Sequence, residues 1–368
     1  MDILVYEVMK LSIDCICTIG PASDNRNVLL DLIHHGMTIA RLNFSHGTHE
    51  SHGEIIRLLK SLSQETGRPV KILGDLQGPK IRLGKVEGEK VSLRSGQTFT
   101  LYIDQVTGNS QQASVDYQGL VKDVKPENKI LLNDGAVELT VKVVEDTKVV
   151  TTVTRGGDIS SHKGVNLPGI ATNLPAITEK DQQDIQFLLK EEVDFIACSF
   201  IRKASHLQEI RTFIGRHKGQ PPKLVAKIET MEALQHFREI AAEADAVMIA
   251  RGDLGVELPY QWIPLLQKAV ISECNRNGTY VITATQMLQS MVENPMPTRA
   301  EVMDVFQAVM DGTNAVMLSA ESAAGDYPVE SIETLKLVSQ FANEVKRDAP
   351  FDLKDMLHLL KQTIGGTE

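Results

Sequence analysis

Eight short apolar runs rich in strand-forming residues recur along the chain, at 13–19, 38–44, 70–76, 195–201, 224–229, 246–250, 280–285 and 315–319. Most are separated by segments whose apolar residues fall at helical spacing, such as NVLLDLIHHG (27–36), EKDQQDIQFLLKEEV (179–193), MEALQHFREIAAEA (231–244) and RAEVMDVFQAVMDG (299–312). Strands alternating with helices build parallel β/α units, and eight of them predict an α/β fold of the (β/α)8 TIM-barrel type. The alternation breaks once, between 76 and about 164. There KVEGEKVSLRSGQTFTLYID and KILLNDGAVELTVKVVEDTKVVTTVTRGGD alternate at strand period around turns such as Asp134-Gly135. An all-β domain is therefore expected, inserted after the third barrel strand. The pattern places the barrel at 1–76 and 165–345, the inserted β-barrel domain at 77–164, and a C-terminal tail with a short helix at 346–368. Setting 77–164 aside leaves 280 residues, close to the usual ~250 of such a barrel.

With 42% hydrophobic and 23% charged residues, the 368-residue chain can bury a large core. Its 38 Lys and Arg against 48 Asp and Glu give a net charge of −10. That balance opposes a nucleic-acid partner, whose affinity comes mainly from neutralised phosphates. A small anionic ligand stays compatible, because local basic groups or a divalent cation reverse the field inside one cleft. No apolar stretch approaches the ~20 residues that span a bilayer, and the opening MDILVYEVMK carries Asp2 and Glu7 rather than a basic leader. A cytoplasmic protein without membrane contact is expected. Cys15, Cys17, Cys198 and Cys274 are too few and scattered for a disulfide framework, and the first two, sharing one strand face, are read as core.

In a barrel of this kind, reactive groups belong at the C-terminal ends of the strands. The second run ends Arg41-Leu42-Asn43-Phe44-Ser45-His46-Gly47, where the two-residue period puts Arg41, Asn43 and Ser45 on one face with Phe44 opposite. A guanidinium beside two oxygen-bearing side chains suits phosphate and cation binding. A surface arginine beside a turn would account for this segment taken alone. The fifth run carries Lys227 and Glu229 on one face in apolar surroundings. They form either a structural ion pair, or a site in which Glu229 holds a divalent cation and Lys227 stabilises charge on a transferring group. Arg251-Gly252-Asp253 closes the sixth run, offering either a second hard oxygen beside a close-approach glycine or an ordinary capped turn. Thr285 at the end of the seventh is a proton relay or a satisfied β-branched residue. Taken together, an Arg, a Lys, two carboxylates and a Thr at four strand ends converge in a barrel. They describe a metal-bound anion site suited to phosphoryl transfer or to stabilising an enolate.

CTIGPAS (17–23), ARLNFSHG (40–47), GDLQGPKIR (74–82), KGVNLPG (163–169), VAKIE (225–229), MIARGDLGVE (248–257), ITATQML (282–288) and NPMPTRAEVMDV (294–305) together resemble pyruvate kinase, in order and over about 12–345. The resemblance implies transfer of the phosphoryl group of phosphoenolpyruvate to ADP, giving ATP and pyruvate, with Mg2+ or Mn2+ as cofactor. It implies that Arg41 holds the phosphoryl group, that Lys227 stabilises its transfer, and that Glu229 and Asp253 bind the metal. Gly252 and Asp253 would help seat the substrate, and Thr285 would lie on the route of the proton. The nucleotide would lie near Asn43, Phe44, Ser45, His46, Arg82 and Lys163, and the inserted domain would act as a lid that excludes water.

Two departures from the family pattern carry expectations of their own. Many members have Asp-Thr-Lys-Gly-Pro-Glu where this chain has Asp75-Leu76-Gln77-Gly78-Pro79-Lys80. In the family that Glu goes with a potassium site, here near Asn43, Ser45 and Asp75. Lys80 is expected to place its ammonium where that cation would sit, so that K+ is not required; a solvent-facing Lys80 is the alternative. The family also continues into a further α/β domain with an effector site and a subunit contact, whereas this chain stops at Glu368. Allosteric activation through that domain is not expected, and a homo-oligomer formed through the barrel surface is left open. Two rival readings remain. One is a pyruvate-kinase-like binding or regulatory protein with weak turnover, which the full set of Arg41, Lys227, Glu229, Asp253 and Thr285 opposes. The other is a metal-dependent aldolase or lyase, which has no use for a second phosphate-binding wall such as Arg82 and Lys163.

Overall fold

Each of the eight runs becomes a strand: Asp14–Ile19, Ile39–Asn43, Lys71–Asp75, Phe195–Cys198, Lys223–Ile228, Ala246–Ala250, Tyr280–Ala284 and Ala315–Leu318. They close into one parallel barrel in sequence order, the first pairing with the eighth. The computed structural model describes residues 13–215 and 220–347. The expected tail therefore lies outside the described residues, apart from Lys346 and Arg347, which finish the helix Pro328–Arg347. No helix among the described residues is long and apolar enough to cross a membrane.

Sequence chemistry sets the boundaries of the outer helices. His49–Thr66, Glu179–Lys190 and Arg299–Asp311 each follow a threonine whose hydroxyl accepts a backbone N–H of the first turn, while the side chain at that position reaches back to the cap. Both bonds satisfy amides that a helix start leaves orphaned. Gly67 and Gly278 then end their helices in the left-handed conformation that glycine adopts at least cost. The apolar stripes of these helices, and of Arg26–His34 and Ala204–Ile214, bury Leu29, Leu59, Leu188, Ile210 and Ile271 against the outward faces of the strands.

The inward faces hold a separate core. Ile16, Ile39, Leu73, Val225, Met248, Ile282 and Met317 fill the lumen. Burial of side chains of this size stabilises by about 1.5–3 kcal/mol each. Two residues further along the same faces stand Thr18, Arg41, Asp75 and Lys227, so the barrel changes from an apolar plug to a charged layer within one strand period. Cys15 and Cys17 are fully buried, and burial pushes the Cys15 thiol up to about 12, as befits packing rather than reactivity.

Between the third and fourth barrel strands the chain builds a β unit. Its six-stranded sheet takes in Thr98–Tyr102, Gln112–Ser114, Lys129–Leu132, Val137–Val144, Lys148–Arg155 and Val165–Asn166, while Val91–Leu93 pairs with Gly157–Ile159. Phe99, Leu101, Leu139, Val141 and Val153 form its own core, and one short helix, Leu120–Asp123, interrupts the β pattern. Val165–Asn166 pairs with Lys129–Leu132 and Leu167 packs into the same core, so the unit runs past residue 164 before the chain returns to the barrel. Asn133, Asp134 and Gly135, with φ of 53°, 51° and 84°, make the turn of its central hairpin.

Candidate active site

Asp75 ends the third strand, is 1% exposed, and lies between two cations from neighbouring strands. Arg41 Nε approaches its Oδ2 at 2.7 Å, and Lys227 Nζ its Oδ1 at 3.1 Å. Arg41 also donates Nη1–H to Thr18 Oγ1 at 2.8 Å, which fixes the guanidinium plane. Lys227 reaches Glu229 Oε1 at 3.1 Å and donates to Ser199 Oγ at 2.7 Å. The other oxygen of Glu229 accepts the Phe200 N–H at 2.5 Å. Two cations and two carboxylates are thus buried together, a balance without which the desolvation of each would not be tolerated.

The charges are not shared equally. Burial pushes the Asp75 carboxyl up, but Lys227 and Arg41 outweigh it and hold the group below the usual carboxylate range. Burial alone would lower the Lys227 ammonium, yet Asp75 and Glu229 carry it above its ordinary value, so it stays charged. Glu229 is left under-compensated, since Lys227, its one cationic contact among the described residues, is shared with Asp75. Burial pushes its carboxyl up to about 7, opposed by Lys227 and reinforced by the charge of Asp253. A buried carboxylate raised by its neighbour's charge makes, with that neighbour, a donor set that a hard cation would relieve. Among the described residues no group of three or more His, Cys, Asp or Glu could hold a metal. The pair Glu229 and Asp253 suits a cation such as Mg2+, which takes one or two carboxylates and completes its shell with water and substrate oxygens.

Thr285 is placed by backbone strain. The seventh strand stops one residue before the end of its run because Thr285 and Gln286 adopt φ of 68° and 56°, a region costly for a β-branched residue. Arg251, 9% exposed, holds that conformation by donating Nη2–H to Thr285 O at 2.6 Å and Nε–H to Ala284 O at 3.2 Å. Its Nη1 pairs with Asp304 at 2.7 Å. The Thr285 hydroxyl then accepts the Gly252 N–H at 2.8 Å, joining the sixth and seventh strand ends. Gly252 is the second residue of the helix Arg251–Glu257, which also carries Asp253.

Lys80 lies against Asp253 at 3.5 Å and Asp134 at 3.6 Å, not against Asp75, whose cationic partners are Arg41 and Lys227. Its stem passes Gly164, where a Cβ would come within 2.9 Å of Lys80 Cε. Lys80 thereby links the hairpin turn of the β unit to the barrel, and a side chain at Gly135 would meet Val256 at 3.5 Å.

In the loop after the second strand, Asn43 Oδ1 accepts the Ser45 N–H at 3.1 Å and His46 is exposed. Phe44 turns inward, 3% exposed and stacked on His52 at 4.4 Å between ring centroids. Its ring belongs to the core. On the β unit, Arg82 and Lys163 lie on adjacent segments: Leu83 N–H donates to Lys163 O at 2.9 Å, and Arg82 Nη1–H to His162 O at 3.0 Å. The structure brings Arg41, Lys227 and Glu229 into direct contact with Asp75, expected only beside a potassium site, and with Ser199, which had no assigned role. Asp75 was findable, because it is the charged residue at the C-terminal end of an apolar strand. Ser199, one residue past a strand, and Arg251, which works through the backbone, carried no such signal.

Residues 10–332 match the family profile described as pyruvate kinase, barrel domain. A pyruvate kinase of Geobacillus stearothermophilus is 47% identical over 333 residues, covering 90% of this chain and 57% of the relative. One from Dictyostelium discoideum is 44% identical over 341 residues, covering 91% and 67%. The chain thus spans between about half and two thirds of the length of these relatives. A crystal structure of a pyruvate kinase from Cryptosporidium parvum superimposes with a TM-score of 0.88 at 37% identity, covering 95% of this chain and 75% of that one.

Proposed function

The chain belongs to the pyruvate kinase family, and on that premise we propose that it transfers the phosphoryl group of phosphoenolpyruvate to ADP. The bond from phosphorus to the enol oxygen breaks, a bond to the terminal oxygen of ADP forms, and the enolate left behind takes a proton to become pyruvate. The observation that carries this reading is the Lys227 ammonium, kept charged between Asp75 and Glu229 at the mouth of the barrel. Arg41 and Lys227 flank Asp75 on opposite oxygens, so two fixed positive charges are available to a phosphoryl group without reorganisation. Mg2+ or Mn2+ held by Glu229 and Asp253 would supply further positive charge to the transferring oxygens. The Thr285 hydroxyl, fixed through Gly252 and the Arg251 clamp, supports a role in delivering the proton. Arg82, Lys163 and the loop at Asn43–His46 would receive the nucleotide, with Phe44 acting through its packing. Closure of the β unit as a lid would keep water from the transferring group.

A coupled assay of the purified chain with phosphoenolpyruvate, ADP and Mg2+ tests the reading. Pyruvate formation that stops when the metal is chelated is the expected result. No turnover under any condition would favour the regulatory-protein reading, and pyruvate release without ATP the lyase one. Lys80 supplies one positive charge beside Asp253, which supports turnover without potassium. In sodium- and ammonium-free buffer, kcat should change by less than about twofold on adding K+, and a strict requirement would refute the assignment. Glu229→Gln removes one hard anionic oxygen and should shift the Mg2+ titration by about tenfold or more. An unchanged titration would move the metal elsewhere.

A further inference from the structure

The linker that returns from the β unit to the barrel, residues 166–175, is held by two charged side chains outside the site just described. Arg202, only 4% exposed, donates Nη1–H to Thr172 Oγ1 at 3.1 Å and Nη2–H to Leu174 O at 2.5 Å and Pro175 O at 3.2 Å. Its guanidinium is spent on linker oxygens and anchors the downstream end. At the upstream end, the carboxylate of Glu257 faces the backbone N–H of Gly169, the side chain of Asn166 and the backbone N–H of Met231.

The position of Glu257 in the chain gives those contacts their meaning. Met231 stands two residues past Glu229, and Glu257 stands four residues past Asp253 on one short helix, hence on the same helical face. Glu257 therefore borders one cavity with Asn166 and Gly169 of the linker and with Met231, while its helix and the loop of Met231 belong to the two elements that carry the candidate metal ligands. A cavity of about 120 Å3 lies between Pro79–Ile81 of the outgoing linker, the return linker, Phe200 and Glu257. It leaves the return linker room to shift, and the Oδ1 atom of Asn166, buried beside it, is without a hydrogen-bond partner. Gly169, at φ 71° with nothing in van der Waals reach of a Cβ, offers a swivel between the two anchors.

We propose that Glu257 is a positioning residue that relays engagement of the Glu229–Asp253 pair to the return linker of the lid, drawing the β unit toward the barrel mouth. The relay rests on reading Glu229 and Asp253 as metal ligands. Glu229 and Asp253 would hold the cation together, and their shared engagement would draw the helix Arg251–Glu257 and the loop behind Glu229 toward one another. The groups of Gly169 and Asn166 that face Glu257 follow it, and the linker turns about its Arg202 anchor.

The test needs no turnover. Mn2+ binding is followed by loss of the free-ion paramagnetic resonance signal, and hydrogen–deuterium exchange is measured for amides 166–175 with and without Mn2+. In the wild type, Mn2+ should slow exchange there at least threefold. Glu257→Ala should bind Mn2+ within about twofold of wild type and lose that slowing; Glu257→Gln, which keeps the shape and one acceptor oxygen, should retain it in part. Full wild-type slowing in either folded variant, or none in a wild type that has Mn2+ bound, would overturn the relay alone. Failure of the wild type to bind Mn2+ would overturn the metal assignment and the relay with it.

Discussion

Lys227→Met should lower kcat by a factor of about 10²–10³ or more, the usual cost of removing one preorganised donor aimed at developing charge. The methionine fills nearly the same volume, so the barrel should still close. Its stability should nevertheless fall, by about 3 kcal/mol or less, because Asp75 and Glu229 lose a shared counter-charge. Asp75 keeps Arg41 at 2.7 Å, whereas Glu229 keeps only the Phe200 N–H. The sign of the pH dependence follows from that difference. Glu229 is already pushed up to about 7 in the fold, above the ~4.3 of a free glutamate, so its ionisation opposes folding increasingly as pH rises between those values. In chelator-containing buffer the variant should trail the wild type more at pH 8 than at pH 6. Wild-type turnover would remove Lys227 from the chemistry, and an equal deficit at both pH values would show that Glu229 does not depend on it.

Arg251→Met should be the most destabilising change near the site, by about 3–5 kcal/mol. It strips a buried guanidinium from Asp304 and from the carbonyls of Ala284 and Thr285, and leaves Thr285 at φ 68° without its clamp. Holding a β-branched residue there costs about 1–3 kcal/mol, so the segment should relax toward an extended backbone and carry the hydroxyl away from Gly252. Urea unfolding should show the loss, and kcat should fall further than KM for phosphoenolpyruvate rises. Arg251→Lys should restore little, since one ammonium cannot serve two carbonyls and a carboxylate in separate directions. A variant that melts with the wild type would show the strained turn to be self-supporting.

The barrel was legible because strand and helix periods differ sharply and each apolar run ends where its polar residues begin. Arg41, Lys227 and Glu229 were readable for the same reason, as charged residues in phase with an apolar strand face. What local pattern could not carry was partnership across strands. Asp75 reads as one acidic residue among 48 Asp and Glu until the register sets Asn43 opposite it and the ion pairs place Arg41 and Lys227 on its two oxygens. Lys80 was expected beside Asp75 and lies against Asp253 and Asp134, while Arg41 and Lys227 occupy the two oxygens of Asp75. Thr285 was read as the last residue of a strand; its left-handed backbone is imposed by Arg251, 34 positions earlier in the chain. Glu257 and Arg202 act through main-chain groups of a distant linker, and no spacing rule reports such contacts.

The apolar plug of Ile16, Ile39, Leu73, Val225, Met248, Ile282 and Met317 makes the cleft a blind alley. Among the described residues these side chains fill the lumen, so the charged layer is reached from the end of the barrel where the strands stop. Traffic control then belongs to the rim rather than to the floor. Rate differences between related chains with the same charged layer would accordingly be sought in the two short linkers and the hairpin turn that border the opening.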